Sequence, residues 1–290
     1  MNISDSFLSE VSTVTLKSAI RKMKLLRVEN CRFSETQVNT IFEQISEGES
    51  ELESLYIGNN RLTGARVELL RGAVPRLRSL HCDNTNLCPG QITEMLLGIK
   101  EAEDLRLEEI NLMMNNMTSV NHLLLCQSLS RLNNVNLYGC RASLVSLLER
   151  IRHGESNIQS LDIGNHHLSD YDPIWLVRAI TNCMYVNLHQ CRMMESHFIT
   201  LMNKIINYEI NLKHLKITFE FPQLKEMMRD ARSFLDKLEI LSPWDEKFTV
   251  DEEDHVYSGN PQYQNEYIGA VLSDVKTLMP LLVAVLIVML

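Results

Sequence analysis

The chain has 290 residues, 45% of them hydrophobic, enough for a sizeable core and too many for a disordered polypeptide. Its formal net charge of -9 argues against a nucleic-acid partner, because phosphate binding draws on concentrated lysine and arginine to release counterions. Seven cysteines, an odd number with no CxxC pair, fit a reducing compartment, and the opening MNISDSFLSEV lacks the basic start and apolar run of a secretory signal, so a cytoplasmic location is expected.

The first legible element is half of a repeat. Residues 3–20, ISDSFLSEVSTVTLKSAI, align without a gap on residues 163–180, IGNHHLSDYDPIWLVRAI, matching Ile3 to Ile163, Leu8 to Leu168 and Leu16 to Leu176. The chain thus opens in mid-repeat, either as a degenerate turn that caps itself or as a fragment of a longer array. From Met23 onward a strand motif, LxxLxLxxNxL, recurs with Cys or Thr allowed in place of Asn. Copies begin at Met23, Leu52, Leu77, Ala102, Leu132, Ile158, Cys183 and Leu212, with a half-copy at Leu235. Within each copy alternate residues face opposite ways, so Leu55 and Ile57 point inward and Tyr56 outward.

Between the strands lie helical patterns with apolar residues three and four apart: GARVELLRGAV, PGQITEMLLGI, MTSVNHLLLCQSL, ASLVSLLERI, PIWLVRAI and SHFITLMNKI. Pro89 and Pro173 suit first helical turns, and Gly48 and Gly154 suit helix C-terminal caps. The turns also alternate. Cys31, Thr85, Cys140 and Cys191 mark one type, and IGNN at 57–60 with IGNH at 163–166 mark the other, so the true period is a pair of units.

This pattern resembles the leucine-rich repeat family, specifically its ribonuclease-inhibitor-like branch, over about residues 3 to 241. The resemblance implies an α/β fold: a right-handed, curved solenoid with parallel strands on the concave face and helices on the convex face. Residues 1–241 then form a solenoid of about ten turns, the first one clipped. Residues 242–277 read as an acidic loop or disordered tail, and residues 278–290 as an apolar terminal segment. It also implies binding of another protein, as the ligand-sensing part of a receptor or as an enzyme inhibitor.

No phosphate-cradling loop, dinucleotide fingerprint, HExxH, GxSxG or calcium loop occurs, and no cofactor or metal is expected. The nearest approach to chemistry is His81-Cys82-Asp83 and His189 to Cys191. Cys82 falls on an inward position and Cys191 on the Asn-equivalent one, which makes both structural. His166 and His167 read as exposed loop histidines, weak metal candidates without further ligands at suitable spacing. What remains for function is the outward strand face, with Tyr56, His81, Asp83, Arg106, Glu108, Asn136, Tyr138, Asp162, Asn187 and His189 as the expected partner-binding residues. Their mixed charge and aromatic content suits a protein partner of unknown identity.

Two other readings attach to particular features. Leu278 to Leu290 is apolar throughout but shorter than the roughly 20 residues a spanning helix needs; if it inserts, the protein is a membrane-attached scaffold or adhesion protein. Cys-type repeats also occur in the substrate-recognition arms of ubiquitin ligases, although no adaptor-docking segment precedes residue 23.

Overall fold

Each strand is built on one aliphatic residue that must leave water while its neighbours stay accessible, and stacking such strands in parallel gives every peptide group a partner. In the computed structural model, residues 1–207, 210–218, 221–235 and 237–241 are described. The chain divides into two units, Met1–Pro243 and Trp244–Leu290. All described residues lie in the first, so the expected acidic tail and the apolar segment Leu278 to Leu290 fall outside them.

Among the described residues nine strands form one parallel sheet in sequence order. They are β1 (Leu25–Arg27), β2 (Ser54–Tyr56), β3 (Ser79–His81), β4 (Glu109–Asn111), β5 (Asn134–Asn136), β6 (Ser160–Asp162), β7 (Tyr185–Leu188), β8 (His214–Thr218) and β9 (Lys237–Leu241). Register aligns Leu26, Leu55, Leu80, Ile110, Val135, Leu161, Val186 and Leu215 in a single row. All eight are buried. A second row, Val28, Ile57, Cys82, Leu112, Leu137, Ile163, Leu188 and Ile217, lies beside it and is buried as well. The sheet is open, and a return segment between successive strands brings the chain back in parallel.

That return is helical: α1 (Thr13–Ile20), α2 (Glu35–Ser46), α3 (Val67–Ala73), α4 (Pro89–Glu101), α5 (His122–Leu129), α6 (Val145–Arg152), α7 (Pro173–Ile180), α8 (Glu195–Ile206) and α9 (Lys225–Arg232). Each helix packs on the next, and their apolar stripes close a single core with the strands. The bounds of α1 and α7 differ by the same offset at both ends, as the gapless alignment of residues 3–20 on 163–180 requires. Gly48 and Gly154 follow α2 and α6 with φ of 74° and 71°. There the amide of Gly48 bonds Ile45 O and that of Glu49 bonds Gln44 O, closing the helix end.

The ladder position behind each strand carries the interaction that joins turn to turn. Asn60 Nδ2 donates to Val28 O of the preceding turn at 2.7 Å, and its Oδ1 accepts the Cys31 amide at 2.9 Å. Asn115 repeats the arrangement, with Nδ2 to Cys82 O at 2.8 Å and Oδ1 accepting the Leu87 amide at 3.1 Å. In the alternate turns a thiol does the same work. Cys31, Cys140 and Cys191 donate to Ile3 O, Leu112 O and Ile163 O at 3.2, 3.0 and 3.1 Å.

A second link characterises the Cys/Thr turns. Gln37 and Gln91, at the starts of α2 and α4, reach back with Nε2 to carbonyls of the preceding turn, Leu8 and Val11 or Leu62 and Ala65. Fully buried His197, near the start of α8, reaches Tyr171 O at 2.8 Å through Nε2.

The fourth copy of the motif starts at Leu107, five residues later than the sequence reading placed it. The competing pattern LRL at 105–107 drew the reading to Ala102, but the motif is complete as LEEINLMMNNM from Leu107, with Ile110 inward and Asn115 on the ladder. The shift restores strict alternation: Cys31, Asn60, Thr85, Asn115, Cys140, His166, Cys191.

Immediately before the ladder residue the backbone is left-handed in successive turns, at Asp5, Asn30, Asn59, Asn84, Met114, Gly139, Asn165 and Gln190, with φ from 50° to 64°. Asn, Asp and Gly tolerate that conformation and Met does not. Replacing Met114 by Asn is therefore expected to stabilise the protein by about 1 kcal/mol, read as a higher urea midpoint; an unchanged midpoint refutes the strain at this position. Asn60→Ala strands the Val28 carbonyl and the Cys31 amide, each costing about 1–3 kcal/mol. Cys31→Ala removes one weak donor, at about 1 kcal/mol. Urea unfolding of the two variants should rank them in that order, and equal losses would refute the ladder's asymmetry.

Candidate functional site

Side chains in the row between the two buried rows point away from the core, so folding leaves them available. They are Arg27, Tyr56, His81, Asn111, Asn136, Asp162, Asn187 and Lys216, in register from β1 to β8. A parallel row two residues further on holds Asp83, Tyr138 and His189. Tyr56, His81, Asp83, Asn136, Tyr138, Asp162, Asn187 and His189 are half-buried on this face. Arg106 and Glu108 are not on it. With β4 at Glu109–Asn111, they lie exposed in the segment leading into the strand, where Glu108 pairs with Arg78 at 3.1 Å. Asn111 and Met113 occupy the places expected for them, and Glu109 joins the face at the strand's first residue.

Neighbouring outward side chains order one another. The Arg27 guanidinium lies 4.0 Å from the Tyr56 ring centre, and Tyr56 stacks on His81 at 4.2 Å. His81 Nε2 approaches Glu109 Oε1 at 3.2 Å, which with Ser79 Oγ holds the Glu109 carboxyl below its usual range. At the other end Tyr185 stacks on His214 at 4.6 Å. Asp162 accepts from Asn187 Nδ2 at 2.9 Å and from the Gly164 amide at 3.0 Å. Burial nevertheless raises the Asp162 carboxyl above its ordinary value, and burial with Lys216 nearby lowers His189.

Gly58 and Gly164 make this layer possible. A Cβ on Gly164 would stand 2.8 Å from His189 O and within 2.7 Å of two Tyr138 ring carbons, and one on Gly58 would meet the Asp83 carboxylate at 2.6 Å. The Tyr138 hydroxyl, laid across Gly164, donates to Gln190 Oε1. The glycine of IGNN and IGNH is thus a floor tile over which a longer neighbour passes.

Between the two aromatic stacks the face sinks into a depression of about 380 Å³ running from β3 to β8. The short side chains Asn134 and Asn136 on β5 and Ser160 on β6 line it, together with Glu109, Asn111, Asp162 and Asn187.

The histidine pair separates. His167 is exposed, but His166 is buried on the ladder, its Nδ1 at 3.0 Å from Ile163 O and 3.1 Å from Gly164 O. It substitutes for the ladder asparagine, and burial lowers its basicity. Cys82, Cys140, Cys183 and Cys191 are all in the core, where burial raises every thiol, to about 12 for the last three. These cysteines are framework, not nucleophiles.

A second hollow, about 830 Å³, lies on the helical side between α5, α6 and α7, with Leu123, Val145, Tyr171 and Trp175 in its lining. It opens where the fifth turn has Ser146 in place of Gln37, Gln91 or His197, so α6 lacks the link that draws its counterparts back. Glu149 at its rim is held at about 2 by Arg152, His153 and the Trp175 indole.

Among solved structures, the leucine-rich repeat-containing protein LegL7 from Legionella pneumophila is similar over 83% of this chain and 82% of its own, with a TM-score of 0.52 and 14% identity. The fold is that of a leucine-rich-repeat protein. No protein-family model and no curated protein matches the sequence. The leucine-rich-repeat turns run from Asn2, bridged to Arg27, to β9, and no helix among the described residues is long and apolar enough to cross a membrane.

Because the folded protein raises the Asp162 carboxyl, its protonated form is favoured by folding. That contribution is full below the unfolded value near 3.8 and is lost as pH rises through the higher folded value. Asp162→Asn should therefore gain stability relative to the parent as pH rises from below 3.8 to neutrality. Urea unfolding at both ends of that range checks it, and a pH-independent difference counts against the assignment.

Proposed function

We propose that this leucine-rich-repeat chain is a non-catalytic interaction module that binds a partner protein across the outward face of its sheet. The observation that carries this reading is the depression on β3 to β8, bordered by ordered aromatic and charged side chains that neither buried row requires. Tyrosine and arginine at such positions supply much of the binding energy in protein interfaces. Because each outward residue sits on a short strand fixed on both sides, little ordering entropy is lost on contact. The ladder cysteines Cys31, Cys140 and Cys191 are hydrogen-bonded inward and belong to the framework.

The test is affinity capture from native cells with the full chain and with a Tyr56→Ala, Tyr138→Ala, Asn187→Ala variant of unchanged circular dichroism. Partners recovered by the parent should be lost from the variant. Identical recovery by both removes the strand face as the binding surface.

A further inference from the structure

The starts of three neighbouring helices interrupt the polar surface of the helical side. Leu123 in the first turn of α5, Val145 at the start of α6 and Ile174 in the first turn of α7 are 55%, 51% and 56% exposed. Apart from Val14 on α1, the matching places in the other turns are polar or small: Glu68 after Asn60, and Thr36, Gly90 and Ser196 after Cys31, Thr85 and Cys191. Single exposed apolar residues are ordinary, but three on consecutive helices form a patch.

The hollow of about 830 Å³ belongs to the same patch, since Leu123 and Val145 line it together with Tyr171 and Trp175. The two rings stack with centres 5.3 Å apart and planes 9° from parallel, and the Trp175 indole donates to Glu149. Both rings are therefore held before anything binds, which limits the ordering entropy lost on contact.

Charge around the hollow is one-sided. Glu149 is compensated by Arg152 and His153 at 2.6 and 2.9 Å, and Arg150 by Glu155 at 3.8 Å. Asp170 and Asp172 are exposed and make no ion pair among the described residues. Asp170 accepts from Ser169 Oγ at 3.3 Å, and Asp172 caps α7 through the Trp175 amide at 2.8 Å. His167, also exposed, is the remaining basic side chain of the lining.

Packed helices lie about 8–10 Å apart, and seven residues of an α-helix rise about 10.5 Å. A helix laid across α5, α6 and α7 can thus set one residue of a heptad stripe against each, with residues three or four further on above the hollow. An extended strand covers that distance in about three residues, and its alternation then turns the next side chain away.

We propose that α5 to α7 form a docking surface for an amphipathic helix of a partner protein. Its apolar stripe lies over Leu123, Val145 and Ile174, an anchor residue enters the hollow against Tyr171 and Trp175, and lysine or arginine on its flank meets Asp170 and Asp172. The surface stands on the helices and does not depend on the strand-face reading.

Selection from a displayed library of helix-forming peptides of about 20 residues, randomised at stripe and flank positions, on the full chain tests the proposal. Enriched peptides should carry apolar residues at three-four spacing with a basic flank, and a labelled member should bind at least about tenfold more weakly to the Leu123→Ser, Val145→Ser variant. Ile174→Lys should weaken it as well, and Asp170→Asn should flatten its salt dependence. Val14→Ser and Tyr56→Ala should leave binding unchanged, and unfolding curves establish that each variant is folded. A selection that enriches nothing, or peptides without helical spacing, overturns the proposal. Acidic flanks overturn the stated chemistry of the partner. Peptides lost on Tyr56→Ala but indifferent to the α5–α7 substitutions overturn this surface and leave the strand face standing. A concentration-dependent dimer in sedimentation that disappears in the Leu123→Ser, Val145→Ser variant overturns it in favour of a second copy of the chain.

Discussion

A chain that leaves a strand to begin its return must bury carbonyls that no strand neighbour can satisfy, and in this solenoid the next turn supplies the missing donor. The amides of Asn60 and Asn115 and the thiols of Cys31, Cys140 and Cys191 all reach into the turn before them. A buried polar group left unpaired costs about 1–3 kcal/mol, so this short contact sets both the stacking distance and the order of turns. Two exceptions show how narrow the requirement is. Thr85 is too short to reach back and instead bonds its own Cys82 carbonyl and Asn115 Oδ1. His166 bonds carbonyls of its own turn, Ile163 and Gly164, leaving its buried Nε2 without a hydrogen bond.

Alternation of the two turn types follows from how much each side chain can do. An asparagine both donates and accepts, so it satisfies carbonyl and amide together. A cysteine or threonine offers one donor, and its turn compensates at the next step of the chain, where Gln37, Gln91 or His197 tethers the helix start to the preceding loop. The turn at Cys140 has Ser146 there, and the helical layer opens into a hollow at that place.

With the framework so committed, the outward face is free to vary, and its composition is where function is expressed. The glycines of the IGN turns have no side chain to place there, and their neighbours use the room: Asp83 over Gly58, Tyr138 over Gly164. The result is an ordered layer of aromatic, amide and acidic groups on a stiff sheet, with a recess running from β3 to β8.

The leucine-rich pattern by itself determined the strands, the helices and their alternation, because period-two burial and three-four helical spacing are local properties written into each unit. It also determined that Cys82 and Cys191 are framework. It misplaced the fourth strand, since LRL at 105–107 and INL at 110–112 both satisfy the motif; only pairing of Ile110 with Leu80 on one side and Val135 on the other chooses between them. For that reason Arg106 and Glu108 seemed to face outward, while Glu109 and Asn111, which do, were passed over. His166 was read as exposed because a loop position says nothing of the core beneath it. The recess and the aromatic stacks at its two ends were left to the tertiary structure, since they join residues from strands a full turn or more apart. Their proximity arises only when the register of the whole sheet is set.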